Sequence, residues 1–261
     1  MSAQKRLNSA AWQRLETELQ LWEDQEKIAR FWWRDDDACE QTEQLERLFD
    51  LSHQNNVPLS IAVIPQRLKE CLVDYCQDKP GIQVLQHGFA HKSHAAAGQK
   101  KIELGGQAKH DEILTDLRTG KTNLKSAFQN QFIPVLVPPW NRMDESLINR
   151  LPETGYCGLS TMWARHVYEL QPNFRQINTH LDPVLWRPGP SFIGEPLAIA
   201  LLIQHLAAKR TGYRDEREAT GILTHHLVQN DQVWAFCDKL FDFLSRYPNV
   251  EWMSAKQIWV A

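Results

Sequence analysis

The strongest constraint on the fold of this chain is an alternation of short apolar runs with amphipathic periods, sustained from Phe31 to Trp252. Apolar runs bounded by turn formers predict strands ending at Trp33 and over Leu59–Ile64, Ile82–Leu85, Phe132–Val137, Gly155–Leu159, Gly221–Thr224 and Val250–Trp252. Apolar residues at three- and four-residue spacing predict helices over Gln44–Gln54, Gln66–Cys76, Asp111–Phe128, Asp144–Leu151, Pro196–Ala208 and Gln232–Arg246, with a short helix at the end. The segment Ser160–Pro190 is irregular, with short strands expected near Gln176–Asn178 and Val184–Trp186. Ahead of the alternation, Trp12, Leu15, Leu19 and Trp22 predict a helix over Ser9–Lys27. No linker or repeat interrupts the pattern. It therefore implies one α/β domain, over 29–261, with an extra N-terminal helix in 1–28. The sheet would be mostly parallel, either open or closed into a barrel.

In both architectures ligands bind at the carboxyl ends of the strands. Four polar placements fall there: Asp35-Asp36-Asp37, His87, Pro138-Pro139-Trp140 and His225. They should converge on one face. Three adjacent carboxylates repel one another, so a solvated turn, a cation or a proton-transfer role must compensate them. In His87-Gly88-Phe89-Ala90-His91 the imidazoles stand four residues apart, the spacing at which a helical turn points both at one place. Two histidines and a carboxylate from the Asp run make the three protein ligands of a hydrolytic metal site.

Composition narrows the alternatives. A formal net charge of −3 offers no basic excess for nucleic acid, and no apolar run is long enough to span a membrane. The five cysteines are scattered with no Cys-x-x-Cys pair, which fits a reducing compartment and predicts a cytoplasmic location. The polar stretch from His87 to Lys109 is long enough to be a functional loop, and its Lys92, Lys100 and Lys101 either face solvent or meet an anionic group. His94, His110, His180 and His226 read as surface or core histidines.

The ordered motifs resemble those of the polysaccharide deacetylase family, the metal-dependent carbohydrate esterases and de-N-acetylases. Arg34-Asp35-Asp36-Asp37-Ala38 resembles the family's Thr-Phe-Asp-Asp-Gly, and His87-Gly88-Phe89-Ala90-His91 its His-Ser/Thr-x-x-His. Val137-Pro138-Pro139-Trp140 resembles Arg-Pro-Pro-Tyr, Asp182-Pro183-Val184-Leu185-Trp186 resembles Asp-x-x-Asp-Trp, and Leu223-Thr224-His225 matches Leu-x-His. The resemblance implies a distorted (β/α) barrel of about seven mostly parallel strands. It implies one divalent cation on Asp37, His87 and His91, with zinc expected and other first-row cations allowed. Asp36 would be the general base, His225 the general acid and the Trp140 N–H an oxyanion donor. Arg34, Pro139, Asn141, Arg142, Asp182 and Trp186 would bind substrate or support the site. A second register would make Asp35 the base and Asp36 the ligand. The family Arg before Pro-Pro is Val137 here, leaving Arg34, Arg142 or Arg187 to replace it, and its second acid is Leu185. The implied activity is hydrolysis of a carbon–nitrogen bond in an N-acetylated sugar or a related acylated amine. The competing readings are a catalytically silent relative that keeps the fold as a binding protein, and an unrelated α/β binding protein.

Overall fold

The computed structural model describes residues 3–79, 81–165 and 169–260. Helix α1 (Ala3–Glu23) precedes β1 (Ala29–Ala38), α2 (Glu43–Asn55), β2 (Leu59–Val63), α3 (Glu70–Gln77) and β3 (Ile82–His87). After a long loop come α4 (His110–Phe128), β4 (Phe132–Val137), α5 (Glu145–Ile148) and β5 (Gly158–Leu159). Short strands β6 (Glu169–Gln171), β7 (Phe174–Gln176), β8 (Thr179–Leu181), β9 (Val184–Leu185) and β10 (Ser191–Phe192) follow. The chain ends with α6 (Glu195–Arg210), β11 (Thr220–Thr224), α7 (Asp231–Ser245), β12 (Val250–Trp252) and α8 (Ala255–Trp259). The first helix starts earlier than Ser9 and stops before Lys27, because Glu26 takes a left-handed φ of 55° and turns the chain toward β1.

The strands run in the order β6-β7-β5-β4-β3-β2-β1-β11-β8, with β12 beside β1, and among the described residues only β6 is antiparallel to its neighbour in this sheet. Eight parallel strands therefore lie on this path, where about seven were expected. The extra one comes from a break at Asn178. Its N–H goes to Glu218 Oε1 at 3.0 Å and its side-chain oxygen takes the Thr161 N–H at 2.9 Å, so the ladder splits into β7 and β8. The strand expected at Gln176–Asn178 straddles that break. Bonds from Ile177 N to Leu159 O and from Thr179 N to Thr161 O still carry the broken strand along β5, while β8 pairs with β11. The sheet thus closes on itself as a distorted barrel.

Side chains alternate across β1, as the two-residue period of a strand requires. Phe31 and Trp33 point outward into the core under α1, α2, α6 and α7, and Trp32 points into the barrel with Ala62, Leu85, Val135 and Val137. Trp259 of α8 meets Trp32 edge-on at 5.2 Å. Two glycines make room for these rings: a Cβ on Gly221 would lie 2.6 Å from Trp32 Nε1, and one on Gly158 would lie 2.2 Å from Trp259 Nε1. Helix α1 buries Leu15, Leu19 and Trp22 in the outer core and is tied down by Arg210 to Glu18 at 2.8 Å and Trp12 to Glu195 at 2.6 Å. No helix among the described residues is long and apolar enough to cross a membrane.

Candidate active site

The three aspartates belong to β1, which runs on to Ala38 rather than ending at Trp33. Against β2, Asp35 pairs with Ile61 and Ala38 with Val63, so three residues of one strand answer two of the other. This is a β-bulge, a device that re-aims side chains. Asp37 sits at the bulge with a φ of 75°, a left-handed conformation that costs a non-glycine residue roughly 1–2 kcal/mol. The consequence is a three-way division. Arg34 and Asp36 share one face of the strand, Asp35 points to the other face, and Asp37 swings onto His87 and His91.

Asp37 Oδ1 lies 3.1 Å from His87 Nε2 and 3.2 Å from His91 Nε2. Among the described residues this is the one group of three potential ligands whose donor atoms all lie within 4.8 Å of one another. A tetrahedral cation with bonds of ~2.0–2.1 Å would hold its ligands ~3.4 Å apart, so the spacing fits. The donor chemistry agrees. His87 Nδ1 faces the Val137 carbonyl at 3.0 Å, and a carbonyl only accepts, so Nδ1 carries the proton. The neutral ring then aims an Nε2 lone pair at a carboxylate oxygen, which is repulsive unless a cation or a second proton lies between them. Burial opposes a second proton on His87, but Asp36 and Asp37 outweigh it and raise the pKa. For Asp37, burial is outweighed by His87, His91 and His225, which hold its carboxyl well below the usual range.

The helical turn expected to join the two histidines is absent. His87 ends β3, and residues 88–91 form a loop with positive φ at Gly88 and His91. Buried Glu103 shapes this loop by accepting the N–H groups of Phe89 at 3.3 Å and Ala90 at 2.7 Å. A Cβ on Gly88 would stand 2.0 Å from Glu103 Oε2 and 2.7 Å from Pro139, so the residue in the family's hydroxyl position must be glycine here. Pro139 thus packs under the loop.

Of Arg34, Arg142 and Arg187, Arg34 is the one that the structure shows against Asp36. It is fully buried and pairs with Asp36 through Nε at 2.8 Å and Nη2 at 3.0 Å. Asn141 Oδ1 accepts from it at 2.7 Å, as do the Ser160 hydroxyl at 2.7 Å and carbonyl at 3.1 Å. Arg142 is exposed and donates to the Lys101 carbonyl at 3.2 Å, and Arg187 is exposed on the loop beyond β9. Arg142 therefore does not meet Asp36, whereas its neighbour Asn141 meets Arg34.

On the far side, His225 Nδ1 lies 4.0 Å from Asp182 Oδ2, and the same carboxylate accepts the Trp186 indole N–H at 2.8 Å and the Val184 N–H at 2.8 Å. The Trp186 ring meets His225 edge-on at 4.7 Å. Burial pushes the Asp182 pKa up, against the pull of His225 and these two donors. Trp140 and Asn141 both have positive φ, at 57° and 53°, and the Trp140 ring lies 4.5 Å from His91.

Two groupings had no sequence signal. Glu103 sits in a polar loop whose pattern gives no hint of burial. Asp35 contacts His226 Nδ1 at 2.5 Å and accepts from Thr224 Oγ1 at 2.7 Å and His226 N at 3.0 Å, a pairing that the sequence did not point to. With Asp35 so engaged and turned away, the register that made it the base does not hold.

No family model matches the chain, and no curated protein matches it by sequence. Solved structures do. A protein from Mycobacterium smegmatis assigned to the polysaccharide deacetylases superposes with a TM-score of 0.60 at 19% identity, over 82% of this chain and 75% of that one. An esterase of carbohydrate esterase family 4 from Streptococcus mutans gives 0.56 at 12% identity, over 92% and 89%. A peptidoglycan N-acetylglucosamine deacetylase gives 0.55 at 13% identity, over 90% and 88%. The chain accordingly has the fold of the polysaccharide deacetylases and family 4 carbohydrate esterases.

Proposed function

We propose that the protein is a metal-dependent hydrolase of carbon–nitrogen bonds that deacetylates an N-acetylated sugar or a related small acylated amine. The observation that carries this reading is the division of the bulged aspartates. It sets Asp37 with His87 and His91 beside an Arg34-held Asp36, and His225 is near enough for its charge to act on Asp37. Asp37, His87 and His91 would hold a divalent ion, zinc by preference for two imidazoles and a carboxylate. Bound there, such an ion polarises the acyl carbonyl and makes water acidic enough to lose its proton near neutral pH.

The chain supplies the rest. Asp36 takes the proton of the attacking water, with its carboxylate fixed by the two nitrogens of Arg34. The Trp140 N–H donates to the oxygen on which charge develops, a role its left-handed backbone suits. His225 protonates the departing nitrogen, oriented by Asp182. The neighbours support this chemistry: one is a peptidoglycan N-acetylglucosamine deacetylase, and a family 4 acetyl xylan esterase from Clostridium thermocellum is described with a cobalt ion. The free cysteines suit a reducing, cytoplasmic setting, and so a small saccharide rather than a wall polymer.

Two departures from the family pattern favoured a silent scaffold. The inward Arg34 answers the loss at Val137. The loss at Leu185 falls on an exposed side chain, while Trp186 and Val184 still hold Asp182. Acetate release from N-acetylated sugars by the metal-loaded protein tests the reading. Asp36→Asn and His225→Ala should each lower kcat by about 10²–10⁴-fold, the usual contribution of a general acid or base. Unchanged turnover in either variant removes that residue from its role.

A further inference from the structure

Asp35 and His226 lie outside the set just described, yet each is the sequence neighbour of a residue in it. We infer that Asp35 is a positioning residue: through His226 and Thr224 it bolts the end of β1 to the end of β11 and so sets where the His225 imidazole stands relative to Asp36 and Asp37. The inference rests on the reading of His225 as the general acid.

Geometry carries it. Asp35 is fully buried, and His226 is 1% exposed. One carboxylate oxygen accepts both the Thr224 hydroxyl at 2.7 Å and the His226 N–H at 3.0 Å, and the other meets the His226 ring at 2.5 Å. The Thr224 hydroxyl cannot turn away, because it also accepts the indole N–H of Trp33 at 2.9 Å. The partners thus flank His225 on both sides in the sequence, at 224 and 226. Beyond β11 the chain folds back at once, with the N–H groups of Val228 and Gln229 both directed at the His225 carbonyl. On β1 the anchor stands immediately before Asp36 and the bulge. A carboxylate on this outward, helix-facing side of the strand is costly to bury unless its oxygens are satisfied. An apolar residue would fill the position more cheaply if packing were its only duty. Three contacts, one to the last residue of β11 and two to His226 just beyond it, hold the chain on both sides of the point where the acid is mounted. Displacements of about 1 Å at such a point cost on the order of 10²-fold in rate.

A double-mutant cycle on acetate release by the metal-loaded protein tests this. Asp35→Ala should lower kcat by about 10–100-fold with KM changed by less than about threefold. Asp35→Asn, which keeps an acceptor for Thr224 and His226 N–H, should recover part of the loss. In the His225→Ala background, Asp35→Ala should have almost no further effect, because its action is routed through a side chain already removed. Zinc affinity, measured by titration, should be the same in wild type and Asp35→Ala. Equal losses from Asp35→Ala with and without His225, or a fall in zinc affinity that accounts for the lost rate, would overturn the proposal. If Asp35→Ala does not fold, Asp35→Asn and His226→Gln carry the same cycle. Failure of the catalytic reading itself is separately visible, since His225→Ala alone would then leave kcat unchanged.

Discussion

At the scale of single residues the chain illustrates how one backbone conformation divides three identical side chains. Asp35, Asp36 and Asp37 are chemically the same and adjacent, yet each meets a different partner: His226, Arg34 and the His87–His91 pair. Gly88 is the position where this arrangement is most sensitive. Its φ of 53° is strained for any residue with a Cβ, and the added atom would meet Glu103 Oε2 at 2.0 Å. Gly88→Ala should therefore expel Glu103 from the N–H groups of Phe89 and Ala90, at a cost of about 1–3 kcal/mol. Lower thermal stability together with weakened metal binding is the expected result, read by calorimetry and metal titration. Arg34→Met leaves Asp36 buried without its partner and should destabilise by roughly 3–5 kcal/mol in chemical unfolding. The groupings themselves were legible in the sequence: Asp37 with the two histidines, Asp36 beside them on the same strand, and His225 facing Asp182. The choice of Arg34 over Arg142 and Arg187 was not legible, because spacing along the chain does not say which long side chain enters a barrel.

At the scale of elements, the strand-end rule did the most to place the site, since the predicted strands at Phe132–Val137 and Gly221–Thr224 match β4 and β11 closely. Helices whose apolar faces meet the sheet, such as α4 and α7, were equally legible. What periodicity could not give were features made by side-chain competition for backbone groups. The break at Asn178 and the Glu103-shaped loop both arise where a side chain takes a hydrogen bond that a ladder or helix would otherwise make, and the bulge after Asp35 inserts one left-handed residue into β1. The supposed helical turn between His87 and His91 failed for this reason. Four-residue spacing suits a helix, but Glu103 claims the amides of Phe89 and Ala90 first.

At the scale of the whole molecule, a second buried polar cluster gives stability a pH dependence separate from catalysis. His180 stacks on His205 at 3.7 Å, Lys209 donates to Thr220 at 3.1 Å, and Glu218 and Arg165 lie beside them. Burial, reinforced by Lys209, pushes His180 well below 6.5, and burial with His180 brings His205 to about 2. Below pH 6.5 the unfolded histidines bind protons that the folded ones refuse, so stability should fall as pH drops. Burial raises the Glu218 pKa above 4.5, which works the other way and returns part of that loss. Burial also lowers Lys209 from 10.5 to about 7, so between those values the unfolded chain again binds more protons and stability should rise with pH. Melting temperature followed from pH 5 to 9 should climb in wild type. In Lys209→Met the climb above pH 7 should flatten.

The bulge and the two histidines together are proposed to form one metal site. Metal content of the purified protein, measured by elemental analysis after equilibration with zinc and removal of free ion, tests it most directly. Wild type should hold one ion per chain and His91→Ala none, with the fold of that variant intact by circular dichroism. A wild-type protein that retains no ion, or a His91→Ala protein that retains it fully, would rule this site out.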